Sequence, residues 1–306
     1  MSLRYRFKSK EDATFREVED FCAGVWIEVV APTEEDVQLL VAKHGLEEGH
    51  LRDAQDFFEA PRLELEEGTS YFFTRFPAQI EGETTTAPIL IAIGDDFVLT
   101  VMHERSEWVD KMTQRVDVYT TQKAKFFLHI IAAIEREYTR VFTGVRREVR
   151  RARLTVRDVS ESAIEQSVQM EYALNEFVSA LVPTNSALQA MTSGKHLQFF
   201  EEDLEMVEDV QLANAQLIES AKNSLKTIQN IRTAHAALVS NRLNKVVRTL
   251  TALTILLTIP TIIGAFYGMN IPLPLQTSVY AFPLVVVATL CVMGAVAHLF
   301  VRNRWL

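Results

Sequence analysis

Four threonines, Thr251, Thr254, Thr258 and Thr261, recur three, four and three residues apart. That spacing sets four hydroxyls on one face of a helix. Asn244 lies seven residues ahead of Thr251 on the same stripe, and the run closes in Tyr267-Gly268-Met269-Asn270. Oxygen dipoles without formal charge suit one chemistry in particular. Mg2+ demands octahedral oxygen ligands and gives up its water reluctantly. A ring of Asn270 amide carbonyls, one from each of several copies, could hydrogen-bond to the ion's water shell without stripping it. A charged ring would hold the ion more tightly and release it more slowly. Gly268 would permit the tight turn and close backbone approach such a ring needs. Simpler readings use the same residues. Threonine hydroxyls in apolar helices bond back to the carbonyl four residues earlier and pack against a neighbouring helix. Glycine and asparagine are favoured at helix C-termini in any case. The residues alone leave both readings open.

The element that must position this stripe is apolar. Residues 249–301 contain no Asp, Glu, Lys or Arg. Two spans fit within them, Thr249–Phe266 and Val279–Val301, each meeting the ~20-residue length of a membrane crossing or its ~17-residue lower limit. The connector Met269–Ser278 holds Pro272 and Pro274, which stop helix continuation. A buried hairpin of a soluble protein is a poor fit to so long a charge-free run. Arg242, Lys245 and Arg248 precede the pair, and Arg302 and Arg304 follow it. The positive-inside rule then predicts both termini in the cytoplasm and the Gly-Met-Asn turn outside. Two spans enclose little polar path, so a channel built from them must oligomerise. The second span, with Ala288, Gly294, Ala295 and Ala297, reads as an outer packing helix, and His298 as an interfacial residue rather than a metal ligand.

The rest of the chain has a different composition. All 40 acidic residues lie at or before Glu219, where 23 basic residues leave a net charge of −17; the remainder carries +8. An acidic body disfavours nucleic acid as a partner and suits accumulation of cations. The charged start Met1-Ser2-Leu3-Arg4-Tyr5-Arg6 lacks an apolar core, so no signal peptide is expected. Cys22 and Cys291 fall in different regions and predict neither a disulfide nor a cysteine metal site. Strand signals cover Val25–Val30, Tyr71–Phe76, Pro88–Ile93 and Phe97–Met102. Thr33 with Asp36 predicts a capped helix through Lys43 that stops at Gly45. Glu81–Thr85 reads as a hairpin loop and Gly94-Asp95-Asp96 as another turn.

From about Thr121 the pattern is helical to about Ser160 and again to about Ala190, with breaks at Asn185 and at Thr192-Ser193-Gly194. From Leu197 a helical pattern runs without Pro or Gly until Pro260, and seventy residues would make a rod of ~105 Å. Its apolar stripe, from Leu212 and Leu217 to Ile231 and Leu238, asks for a partner that symmetric copies would supply. The basic run Arg146–Arg153 lacks interleaved aromatics for nucleic acid; it is expected to answer the acidic run Glu201–Asp209 or the bilayer surface. No phosphate loop, Ser/His/Asp set or His cluster is evident, and the seven histidines are scattered. Neither an enzyme nor an organic cofactor is predicted, and transport would be driven by ion gradient and membrane potential.

A Gly-Met-Asn turn closing the first of two C-terminal membrane helices resembles the CorA family of divalent-cation channels. The likeness extends to the terminal Trp305-Leu306 after a basic stub, to Trp26–Glu35, and to Asn241-Arg242-Leu243-Asn244-Lys245-Val246 ahead of the first span. It implies an α+β membrane protein: an N-terminal α/β cytoplasmic domain, a long helical stalk and two C-terminal transmembrane helices, assembled as a homopentamer in the cell membrane. The corresponding divisions are residues 1–195, 196–248 and 249–306. It implies Gly268, Met269 and Asn270 as the selectivity filter, and Asn244 as a polar ring at the cytoplasmic mouth. Val247 and Leu250 would form a hydrophobic constriction, and Thr251, Thr254, Thr258 and Thr261 would line the pore. Asp209, with Glu205 and Glu208, would bind regulatory Mg2+ between subunits. Mg2+ would thus be both cargo and regulator. The chain departs from the family in three places. Ile271–Gln276 carries no acid, Thr258 replaces a bulky apolar gate residue, and Thr233 stands where an acidic ring is expected. The missing external acid keeps Zn2+, Co2+ or Ni2+, as in the related zinc-transport branch, as an alternative cargo. The intact Met269 argues against that branch. A non-conducting membrane sensor or scaffold is the other alternative.

Overall fold

The computed structural model describes residues 3–156, 160–193, 196–271, 273, 278–303 and 305. Its chain forms two compact units, Met1–Arg232 and Thr233–Leu306. In the first, strands β1 (Leu3–Phe7), β2 (Arg16–Val18), β3 (Val25–Val30), β4 (Arg62–Glu66), β5 (Thr69–Ile80), β6 (Glu83–Ile93) and β7 (Phe97–Met102) make one sheet. Its order is β2-β1-β3-β7-β6-β5-β4. Only β3 and β7 pair in parallel; the other neighbours are antiparallel. Alternation along the strands feeds two cores. Trp26, Phe72, Ile91 and Val98 pack on one face with Trp108, Phe126 and Phe177. Val25, Ile27, Tyr71, Leu90 and Leu99 pack on the other with Val37, Leu40 and Leu51. Burial on both faces is why β6 and β7 read as nearly unbroken apolar runs.

The small helices α1 (Glu34–His44) and α2 (Glu48–Asp53) belong to the second core, and α3 (Glu107–Thr113), α4 (Lys123–Leu154) and α5 (Glu161–Met191) to the first. The predicted capping box is present. Thr33 Oγ1 accepts from the Asp36 amide, and the Asp36 carboxylate accepts from the Thr33 amide at 2.8 Å. Gly45 ends the helix in the left-handed region at φ 64°. The predicted strands at β3 and β7 have the expected bounds.

Three strands were not predicted. β2 and β4 are the sheet's two edges, and charge on their residues, such as Arg16 and Glu64, blurs their apolar signal while discouraging further pairing. In β1 the near-buried Arg6 pairs with the buried Glu28 of β3 at 2.9 Å, so a strand residue that looks solvated is inside. The expected loop Glu81–Thr85 is shorter than predicted. Glu81 and Gly82 take positive φ, and Glu83, Thr84 and Thr85 already pair with β5. Two consecutive left-handed residues match the twist of the flanking strands and close the hairpin in two positions.

Asn185 does not break a helix. α5 runs through it and through Pro183, and Asn185 Oδ1 accepts from Asn214 Nδ2 at 3.1 Å. An asparagine that would compete for its own backbone in solvent is here bound by a neighbouring helix. Leu197–Phe200 lies outside any helix. A 3-10 turn at Glu201–Asp203 leads into α6 (Leu204–Tyr267), a single 64-residue helix. Carboxylates collected at its start complement the positive end of its dipole.

Within the first unit α6 lies antiparallel to α5. Gln211 meets Thr192, Asn214 meets Asn185, and Arg232 pairs with Glu171. Leu217, Ile218, Ala221, Ile228 and Ile231 are buried there. Much of the stripe predicted to need a symmetric partner is therefore covered by the chain itself, while Leu212 remains exposed. In the second unit, α6 continues to Tyr267 and α7 spans Ala281–Arg302. Among the described residues of this unit only His235, Ala252 and Thr289 are buried.

Candidate ion-conduction site

The apolar part of α6 has no charged side chain to satisfy, so its only side-chain polar groups over three turns are the threonines. Thr254 Oγ1 donates to the Leu250 carbonyl at 2.9 Å, Thr258 to the Thr254 carbonyl at 2.7 Å, and Thr261 to the Leu257 carbonyl at 3.1 Å. The simpler reading of these hydroxyls is thus realised in geometry, and it does not compete with the other. Each hydroxyl spends its one proton on its own helix and keeps oxygen lone pairs. The exposed Thr254, Thr258 and Thr261 therefore present acceptors, the groups that the outward-pointing protons of a hydrated cation need. Thr251, Val247, Leu250 and Asn244 are exposed on the same helix.

Helical bonding persists through the turn motif before it ends. The Gly268 amide donates to the Gly264 carbonyl at 3.0 Å, and the Met269 amide donates to Phe266 at 3.3 Å. A Cβ on Gly268 would lie 3.3 Å from the Gly264 oxygen, so a side chain there would press on the last helical carbonyl. Met269 and Asn270 are exposed just beyond the helix end. Pro272, Pro274, Leu275 and Gln276 of the connector, and Arg304 and Leu306, lie outside the described residues.

The acidic run near the start of α6 is not uniform. Glu205, Glu208 and Asp209 are exposed, whereas Asp203 is buried and pairs with Lys125 of α4 at 3.7 Å. Among the described residues no three His, Cys, Asp or Glu side chains converge on a metal position. The expected answer of Arg146–Arg153 to this run is not found: among the described residues none of these arginines pairs with Glu201–Asp209.

Sequence reasoning also passed over two buried ionisable groups in α4. Leu128, Ile131, Glu135, Tyr138 and Phe142 follow one another at three- and four-residue steps, so Glu135 occupies a core position. That periodicity is the signal that could have found it. Burial pushes its carboxyl up to about 9, only partly offset by Arg136. His129 is pushed down to about 4 by burial, and then by the neighbouring Arg115.

Apolar helices inside soluble proteins are covered by their own chain. Here only 6 % of the apolar window of each of the two candidate spans is buried. An α/β unit followed by two exposed helical runs that lack charge over residues 249–301 defines a membrane protein with a folded α/β domain and a two-helix span. The chain belongs to the CorA-like Mg2+ transporter protein family, whose model matches residues 23–302. The cobalt/magnesium transport protein CorA of Methanocaldococcus jannaschii is 23% identical over 291 residues, covering 92% of this chain and 91% of that protein. The complete structure of the CorA magnesium transporter from the same organism superposes with a TM-score of 0.86 at 21% identity, covering 100% and 99% of the two chains. The full-length CmaX protein matches at a TM-score of 0.74 and 12% identity over 97% of each chain. The ZntB cytoplasmic domain from Vibrio parahaemolyticus matches at 0.63 and 11% identity, over 78% of this chain and 97% of that domain. The expected α/β body, long helix and pair of C-terminal apolar helices are thus the architecture of the family.

Proposed function

We propose that this chain forms a homopentameric channel that conducts hydrated Mg2+ into the cytoplasm, driven by the ion gradient and membrane potential. The observation that carries the reading is the uncharged acceptor stripe of α6, Thr254, Thr258 and Thr261, running toward Gly268-Met269-Asn270 in a family of Mg2+ transporters. In this reading residues 1–195 form the cytoplasmic domain, 196–248 the stalk and 249–306 the pore domain, with both termini in the cytoplasm. Asn270 selects the hydrated ion, with Gly268 and Met269 shaping its ring. Asn244 lines the cytoplasmic mouth, Val247 and Leu250 form the constriction, and the threonines, Thr251 included, line the path between. Mg2+ held between Asp209, Glu205 and Glu208 of one subunit and acidic residues of the next keeps the stalks closed; its loss lets them relax open. In favour, these carboxylates are exposed and, among the described residues, join no group of three metal-ligating side chains.

Uptake into proteoliposomes tests the reading, with Mg2+ and Zn2+ compared and internal Mg2+ varied. Mg2+ entry suppressed by internal Mg2+ is expected. Asn270→Ala should reduce entry to background while the oligomer survives on size-exclusion chromatography; wild-type flux in that variant would remove Asn270 from the filter. Asp209→Lys should shift the internal inhibition curve to higher Mg2+, and an unaltered curve would take Asp209 out of the sensor. The absence of an acid in Ile271–Gln276 favours Zn2+, Co2+ or Ni2+ as the second reading. Zn2+ entry alone would establish it, and no entry of any ion would leave a sensor or scaffold.

A further inference from the structure

Five arginines crowd the C-terminal end of α4: Arg146, Arg147, Arg150, Arg151 and Arg153. All five are exposed, and among the described residues none forms an ion pair. Among the described residues, the nearby carboxylates Glu148, Glu161 and Glu165 pair with none of them. This is unusual in a unit where so many surface cations find acids, as Arg52 does with Glu34 and Glu48, and Arg62 with Asp53. Like charges left together and unanswered cost stability, so the patch calls for an anionic partner from outside the chain.

Its place in the fold narrows the partner. Tyr138 of α4 packs on Phe177 of α5, and further along α4 Val145 and Glu148 line a cleft with Gln166, Met170 and Ala173, so the two helices run antiparallel and the arginines lie on the last turns of α4. α5 in turn lies antiparallel to α6, with Thr192 at the level of Gln211 and Glu171 at the level of Arg232. Moving back along α5 toward Glu161 is therefore moving forward along α6. The arginine-bearing end of the hairpin lies at the end of this unit toward which α6 runs. In sequence, the charge-free run begins at Thr249, 17 residues after Arg232. The same end carries apolar surface: Leu154 is 78% exposed, and Ile164 at the start of α5 is exposed as well. Arginines flanking an exposed leucine have the composition of a bilayer-surface contact, and stacking aromatics for nucleic acid are missing.

We propose that the end of the α4–α5 hairpin docks on anionic phospholipid headgroups of the bilayer that the chain itself spans, with Arg150, Arg151 and Arg153 on phosphates and Leu154 at the headgroup boundary. The proposal rests on the membrane reading of residues 249–301 but not on which ion is conducted. Guanidinium groups match phosphate oxygens two at a time. Each basic residue near an anionic surface strengthens attachment by about fivefold, and the attraction fades beyond a Debye length of about 8 Å at physiological salt. The contact would tie the soluble unit to the membrane at a second place, sensitive to lipid charge and salt.

The test uses the full chain with Cys22→Ser and Cys291→Ser and a fluorophore on Thr155→Cys, in nanodiscs containing a lipid whose headgroup bears a nitroxide quencher. Discs of phosphatidylcholine alone are compared with a two-to-one mixture of phosphatidylcholine and phosphatidylglycerol. Quenching should be severalfold stronger in the anionic discs and should fall as salt is raised. The Arg150→Gln, Arg151→Gln, Arg153→Gln variant should return it to the level of the neutral discs. Equal quenching in both lipids, or a triple variant indistinguishable from its parent, would overturn the proposal. So would binding of a labelled single-stranded oligonucleotide through the same arginines with no effect of lipid charge. If the triple variant loses its native circular dichroism, the salt titration of the parent and the single Arg153→Gln variant decide. A chain that inserts and quenches but conducts no ion keeps the docking contact and loses the channel. A chain that never enters the discs loses both.

Discussion

The two units of this molecule use the same apolar side chains in opposite ways. In Met1–Arg232, Trp26, Phe72, Leu90 and Phe126 are completely buried. In Thr233–Leu306, Leu257 is 63% and Phe282 79% exposed. Apolar surface facing water at this density would be expelled, so the second unit must meet a different solvent. Lipid and further copies of the chain can supply what the first unit supplies to itself. The comparison also separates two sources of stability. The soluble unit is held by hydrophobic burial out of water. The spans gain nothing from that effect between helices and depend on helical hydrogen bonding and close packing.

The largest expected effect that would break this contrast comes from the core. Trp26 donates to Thr100 Oγ1 at 2.9 Å and stacks edge-on with Phe126. Trp26→Ala should destabilise the soluble unit by about 3–5 kcal/mol, read as a fall in the thermal midpoint by circular dichroism. Leu257→Ala, an apolar truncation of an exposed span residue, should cost less than about 1 kcal/mol in the same melt. Equal losses would mean that the second unit is packed like the first.

Next in size is a buried ionisable group. The Glu135 carboxyl is raised from its ordinary 4.5 to about 9 by burial. Its neutral form is favoured in the folded chain, so its contribution to stability is full below pH 4.5. That contribution declines as pH rises through about 9, because the unfolded carboxyl has already ionised. Glu135→Gln should flatten that decline and raise stability at pH 8 by on the order of 2 kcal/mol. Unfolding curves measured from pH 5 to 9 check this, and a parallel pH dependence in the variant would mean that Glu135 reaches water. His129 works in the other direction. With its ring depressed to about 4, its contribution is held above the ordinary 6.5 and lost as pH falls through about 4.

The smallest effect is local. Thr33→Ala removes one half of the α1 capping box and should cost about 1 kcal/mol, measured by chemical denaturation. A null result would show that α1 is held by Val37 and Leu40 in the core rather than by its cap.

Features decided by neighbours in sequence were legible before the fold was known. The capping box of Thr33 and Asp36 and the left-handed Gly45 depend on residues within one or two turns. The threonine spacing and the absence of charge over residues 249–301 fixed a one-sided helix that water would not tolerate. Features decided by partners distant in sequence were not legible. β1 is a strand because Glu28 receives Arg6, and α5 passes Asn185 because Asn214 binds it. The α6 stripe is covered by the same chain because α5 folds back along it. Glu135 is raised because burial removes the water that would stabilise its charge. Among the described residues the arginines of α4 do not meet the acidic run because α5 folds back between them: α4 ends where α5 begins, and the far end of α5 lies beside the start of α6. Backbone preference, capping and hydropathy act over a few residues and are written in the chain itself. Desolvation and the pairing of charges depend on which surfaces meet, and only the tertiary structure decides that.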